Sequence, residues 1–165
     1  MKFLTKLPFL ALFAVFIFSS CTTDSIDDKA EALQLKAVSP KTKTIEVKIL
    51  EIINDHRLSL GLSSLNDMVL VKSVALTHTD YMVDNDEVSH ANFFARSNYL
   101  KANAGAEKVS ENVAYGYSSA ESVVRAWLKS DGHKAIIEGD FTNFDVSAEV
   151  NAKGKWYYTN IFIKK

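Results

Sequence analysis

Apolar positions follow three regimes along this chain: an unbroken run from Leu7 to Phe18, a recurrence every three or four residues from Ile45 to Leu128, and a strict alternation after Phe141. In the middle regime Ile45, Ile49, Ile52, Ile53, His56 and Leu60 fall at helical spacing before Gly61 and predict a first helix with one apolar face. A second is expected after Asn66 or Asp67, either of which can cap it, with Leu70, Val74, His78, Tyr81 and Met82 on one stripe. A shorter third spans Asn92 to Ala102, with Phe93, Phe94 and Tyr99 as its apolar members. Ser118-Ser119-Ala120-Glu121 matches a capping box and opens a fourth helix, from about Ser119 to Ser130, that buries Ala120, Val124, Trp127 and Leu128.

The third regime predicts strands. Val146, Ala148 and Val150 point one way and Ser147, Glu149 and Asn151 the other, and Ala152-Lys153-Gly154 supplies a turn. From Trp156 to Ile163 both alternating sets are apolar, as in a strand covered on two faces. Val109 to Tyr115 is a candidate third strand. The expected fold class is α+β, with helices on both faces of a small antiparallel sheet and no internal repeat.

The first regime lies outside that fold. Lys2 and Lys6 precede an apolar run shorter than the roughly 20 residues a membrane-spanning helix needs, so residues 1–20 read as a secretory signal peptide. The run ends in Phe18-Ser19-Ser20-Cys21, which resembles a bacterial lipobox, although Phe18 stands where leucine is usual. Cys21, the only cysteine, is then the lipidated first residue of the mature protein; the alternative is a free cysteine at an ordinary cleavage region. Residues 21–44 read as a lipidated cysteine with a flexible tether, and 45–165 as the folded domain. Asp24, Asp27 and Asp28 read as part of a solvated linker or, alternatively, as an export signal for the outer surface.

Composition narrows the function classes. The 165 residues carry 19 Lys and Arg against 20 Asp and Glu; without residues 1–20 the balance is 17 against 20, or −3. With no basic block the sequence lacks the footprint of a nucleic-acid binder, and one cysteine excludes an intramolecular disulfide framework and a cysteine-rich zinc site. There is no G-x-S-x-G, H-E-x-x-H or phosphate-cradling glycine loop, and neither Ser119 nor Ser130 sits in a nucleophile elbow, so no catalytic residue is assigned. Of the four histidines, His56 reads as structural and His78 as a core histidine with a hydrogen-bonded ring. His90 and His133 fall in predicted loops, where side chains from distant parts of a chain can converge.

Four segments then form a recognisable series: Asn54-Asp55-His56-Arg57; Ser89-His90 with Arg96 six positions on; Glu111-Asn112-Val113-Ala114; and Trp127-Leu128-Lys129-Ser130-Asp131-Gly132-His133 followed by Ile136 and Ile137. In this order and spacing they resemble the CAP superfamily, the domain of cysteine-rich secretory proteins, venom antigens and plant pathogenesis-related proteins. The resemblance covers Ile45 to Phe162. It implies a three-layer α-β-α sandwich with a cleft in which two histidines and two acids face one another, here His90, His133 and Glu111. The second acid has no match: Ser130 stands where glutamate is common, with Asp131 the nearest substitute.

Two imidazoles and one carboxylate suit zinc or another divalent cation, with a fourth position for an activated water. The same trio can equally be a polar network holding loops over the sheet. Two functional expectations follow. One is a lipid-anchored cell-envelope binding module of a bacterium, facing the periplasm or exterior from the outer membrane, whose cleft takes a lipid, glycan or protein ligand. The other is a zinc-dependent hydrolase acting in that cleft, with His90, Glu111 and His133 as ligands.

Overall fold

The computed structural model describes residues 40–165; the signal-peptide, Cys21 and tether expectations for residues 1–39 fall outside them. The elements run α1 (Thr44–Ser59), β1 (Asn66–Asp67), α2 (Val69–Asn85), α3 (Phe93–Ala104), β2 (Lys108–Tyr115), α4 (Ala120–Lys129), α5 (Asp131–Ile137), β3 (Asn143–Val150) and β4 (Trp156–Lys164). The sheet order is β1-β3-β4-β2. The three long strands are antiparallel, as the alternation predicts. The short β1 is an addition: Asn66 and Asp67 pair in parallel with Asn143 and Phe144, making the sheet mixed rather than purely antiparallel. These two residues therefore enter the sheet instead of capping α2, whose N-cap is Met68.

Helices lie on both faces. On one, α1, α4 and α5 pack over Ala114, Phe144, Val146, Ala148, Tyr158 and Phe162. On the other, α2 and α3 cover Val109, Ile161 and Ile163. Central β4 is buried from Tyr157 to Ile163, the two-sided strand its sequence predicts. The N-cap of α4 is Ser119, one residue into the expected box, and its partner is Ser122: each backbone amide donates to the other's hydroxyl at 3.2 Å. In α3 the buried face is Arg96, Ser97, Leu100 and Ala104, whereas Phe94 is 82% exposed. Of the apolar members named from sequence, Tyr99 packs against this core and Phe93 is half-buried, while Phe94 lies on the outward face.

Polar side chains lock the layers. Asn54 exchanges two hydrogen bonds with the backbone of Leu65, at 2.8 and 3.0 Å. Arg57 donates to the carbonyls of Ser63, Ile137 and Gly139. The first of the four sequence segments is therefore a clamp on the loops behind α1 and α5. Where β1 ends, the open side of β3 meets a buried pair: Lys72 lies 2.5 Å from Glu46 and donates to the carbonyl of Val146, while Glu46 accepts from the amide of Ala148. Among the described residues no helix is long and apolar enough to cross a membrane.

Candidate functional site

Strand β2 is a sheet edge, and its side chains alternate between the two layers. Odd positions face α2 and α3. Glu111 thus meets Arg96 of α3 and His78 of α2, while Asn112, one residue on, meets α5. A cavity of about 430 Å³ opens beside this edge, bordered by Ser89 and His90 from the α2–α3 loop, Val113 and Tyr115 from β2, and Trp127, Ser130 and His133 from the opposite layer. Its walls are mainly apolar, with Val88, Tyr117 and Ala126 completing them. A second cavity, about 250 Å³, lies on the other side of His90 and is bordered by Phe93, Val109, Glu111 and Ile136.

Glu111 is the hub. Its carboxylate is 5% exposed and accepts from Arg96 through both oxygens, Nε to Oε2 at 2.9 Å and an Nη to Oε1 at 2.8 Å. His90 Nδ1 donates to Oε1 at 2.9 Å, and His78 Nε2 stands 3.8 Å from it. Burial alone would push this carboxyl up; the bonds from His90 and Arg96, with the charge of Arg96, outweigh it and hold Glu111 below its ordinary value. The carboxylate fixes the proton of His90 on Nδ1. His78 donates Nε2–H to the carbonyl of Ser89 at 2.7 Å, and burial lowers its pKa, so it is the hydrogen-bonded core histidine its place in an apolar stripe predicts. His133 also falls below the ordinary imidazole value, through burial and then the proximity of His90. His56 pairs with Glu138 at 2.8 Å, away from both cavities.

The structure therefore brings His90 to Glu111 and sets His90 and His133 on one cavity, but it does not assemble the three as ligands. Glu111 and His133 border different cavities on either side of His90. Among the described residues no group of three or more His, Cys, Asp or Glu side chains is placed to hold a metal ion. Arg96 already meets both oxygens of the Glu111 carboxylate, which is thereby held as half of a bidentate ion pair. His133 sits on the first turn of α5, not in a loop, and its Nδ1 pairs with Ser130 Oγ at 2.8 Å. Ser130 thus takes the place at which a second acid was sought. Asp131 is exposed and borders neither cavity.

Arg96 stands in the quoted sequence series without a role; its spacing from Ser89-His90 was the available signal. Tyr115 and Tyr117, both exposed at the cavity rim, had no signal beyond lying at and just past the end of a strand.

Residues 50–162 match the cysteine-rich secretory protein family, CAP, and the chain belongs to it. It is 28% identical, over 99% of its length, to the uncharacterized membrane protein YlbC of Bacillus subtilis, and 30% identical over 76% of its length to the uncharacterized protein YkwD of that bacterium. It spans 49% and 54% of them, about half the length of the curated relatives it matches. An outer surface protein of Borrelia burgdorferi has the same fold, with a TM-score of 0.66 at 21% identity over 78% of this chain and 99% of that one. An extracellular protein of Bacillus anthracis containing an SCP domain gives 0.64 at 25% identity, over 78% of this chain and 45% of that one.

Proposed function

We propose that this protein is a non-enzymatic binding module of the bacterial cell envelope, anchored through a lipid on Cys21, whose apolar cleft beside β2 holds a lipid, glycan or protein ligand. The observation that carries the reading is the state of Glu111. Hydrolysis by general acid and base needs a carboxyl or imidazole free to exchange protons with the substrate and a second group to complement it. Here the carboxylate of Glu111 is taken up by Arg96 and His90, and among the described residues the larger cavity is bordered by the imidazoles of His90 and His133 with no acid to complement them. What the cleft does offer is about 430 Å³ of mainly apolar space with a few polar groups at one side, the usual composition of a ligand pocket. The envelope location is supported by the lipobox-like Cys21 and by relatives whose names place them in a membrane, on an outer surface or outside the cell.

The test uses the purified protein with an environment-sensitive apolar dye, with and without zinc. The dye binds the wild type with one site, and Tyr115→Ala with Tyr117→Ala weakens it by about tenfold or more, as expected when rim aromatics contribute roughly 1.4 kcal/mol. Peptide and ester substrates remain uncleaved whether or not zinc is added. Zinc-dependent cleavage that disappears in His90→Ala or His133→Ala would overturn the reading in favour of a metal-dependent hydrolase.

A further inference from the structure

The face of the sheet beneath α5 contains two amides where an apolar core is expected. Asn112 of β2 and Asn160 of β4 are directly paired in register and fully buried, with Val146 opposite Asn160 on β3. Around them the same face presents Ala114, Val146, Tyr158 and Phe162 to Trp127 and Ile137. Leucine or valine would fill this place without removing an amide from water. Yet Asn112 Oδ1 and both polar atoms of the Asn160 side chain have no hydrogen-bond partner among the described residues. Each such group costs much of a desolvated hydrogen bond unless something else satisfies it.

The fourth polar atom explains what the amides serve. Asn112 Nδ2 donates to the carbonyl of His133 at 3.1 Å. That carbonyl can only accept, so the orientation of the Asn112 amide is fixed and its oxygen is directed away from α5. Helix α5 has seven residues, too few to hold its own place, and side chains from other elements grip both its ends: Asn112 at the carbonyl of His133 and Arg57 at the carbonyl of Ile137. Of these two, the Asn112 grip is the one nearest the cleft histidine.

We propose that Asn112 and Asn160 enclose a buried water site, one or two molecules, and that Asn160 acts through this site and Asn112 as a positioning residue for His133. The chemistry of the unmet atoms matches water: two carbonyl oxygens that need donors and one amide nitrogen that needs an acceptor, close to the three hydrogen bonds a buried water typically makes. Water is the small molecule that supplies both functions at once, and a hydrocarbon ligand supplies neither. Satisfied in this way, the pair is a rigid connection from the middle of the sheet to the cleft wall. Its role does not depend on which ligand the cleft takes.

A crystal structure of the protein at high resolution, with amide hydrogen exchange across α5, tests this. Ordered water is expected within hydrogen-bond distance of Asn112 Oδ1 and of the Asn160 amide. Asn160→Leu fills the space, expels the water and leaves the Asn112 oxygen unmet. Exchange at Ala135 to Glu138 is then expected to accelerate by about tenfold, with His133 displaced, while the thermal midpoint stays the same or rises because the core has gained an apolar side chain. Asn160→Ser retains a hydroxyl and room for an additional water, and should keep the native exchange. A merely structural amide would not separate local exchange from global stability, nor be rescued by serine. A direct Asn112–Asn160 amide contact without water, or native α5 exchange in Asn160→Leu, overturns the proposal. If the leucine variant does not fold, the water in the wild-type crystal and the exchange of Asn160→Ser decide it.

Discussion

Removing Arg96 should be strongly damaging, for a reason that can be separated from packing. Its guanidinium is 3% exposed and makes three hydrogen bonds, two to Glu111 and one to the carbonyl of Ala91. Arg96→Met keeps much of the volume and removes the charge. Breaking a buried pair from one side leaves the other charge uncompensated, at about 3 to 5 kcal/mol. Against a typical domain stability of roughly 5 to 15 kcal/mol, that is a large fraction. The pH dependence identifies the cause. In the native protein Glu111 is held below its ordinary value of 4.5, so its ionised form contributes stability above that value, lost as the pH falls through the lower native pKa. In Arg96→Met the carboxylate keeps the bond from His90 but loses both the bonds and the charge of Arg96; burial should then prevail, the Glu111 pKa should rise above its ordinary value, and the ionised carboxylate should become a cost at neutral pH that acidification relieves. Urea unfolding of both proteins from about pH 7 to about 4 should therefore show a gap widest at neutral pH and narrowing in acid. Adding Glu111→Leu to Arg96→Met should recover most of the loss, since the stranded charge is gone. A neutral-pH gap below about 1 kcal/mol, the size of an exposed pair, or one flat with pH, would refute the argument.

Trp127, 1% exposed with its indole N–H on the carbonyl of Val113, should cost about 3 to 5 kcal/mol as alanine and about 1 kcal/mol as phenylalanine, which loses chiefly that hydrogen bond; equal midpoints by urea unfolding would contradict both. Burial pushes Asp145 up to about 6 even though the amides of Val146 and Met68 donate to it. The folded state therefore takes up its proton before the unfolded chain does, and stability of the wild type relative to Asp145→Asn should rise as pH falls from about 7 to about 5; a fall over that range would show the carboxylate to be stabilised instead. Cys21→Ser should abolish fatty-acid labelling and move the protein from the membrane to the soluble fraction, and retained labelling would place the anchor elsewhere.

How far these features are legible in the sequence depends on the range of the interaction. Periodicity and alternation are local, and they locate α1, α2, α4 and the three long strands to within a few residues. They misplace Asn66 and Asp67 because a cap and a two-residue strand use the same residue types, and only Asn143 and Phe144, far along the chain, decide between them. They also misjudge α3, where Phe94 is outside and Arg96 inside, because the partner that makes an arginine buriable, Glu111, is on another element. For the same reason the sequence offers His90, Glu111 and His133 as three equivalent donors. Nothing local indicates that one of them already belongs to a guanidinium.

On both outer edges of the sheet, backbone groups that could pair with another strand are already taken by side chains. On the β3 side, beyond the two residues of β1, the amide of Ala148 and the carbonyl of Val146 are taken by Glu46 and Lys72. On the β2 side the carbonyl of Val113 is taken by Trp127. An unprotected edge is a template for aggregation, and natural sheets blunt it with short strands, charges and covering side chains. On the lipid anchor proposed above, the protein would diffuse in two dimensions at high local concentration, where neighbours meet edge to edge far more often than in solution. The buried ion pair and the indole thus act against self-association: variants at Glu46, Lys72 or Trp127 should lose solubility as well as stability.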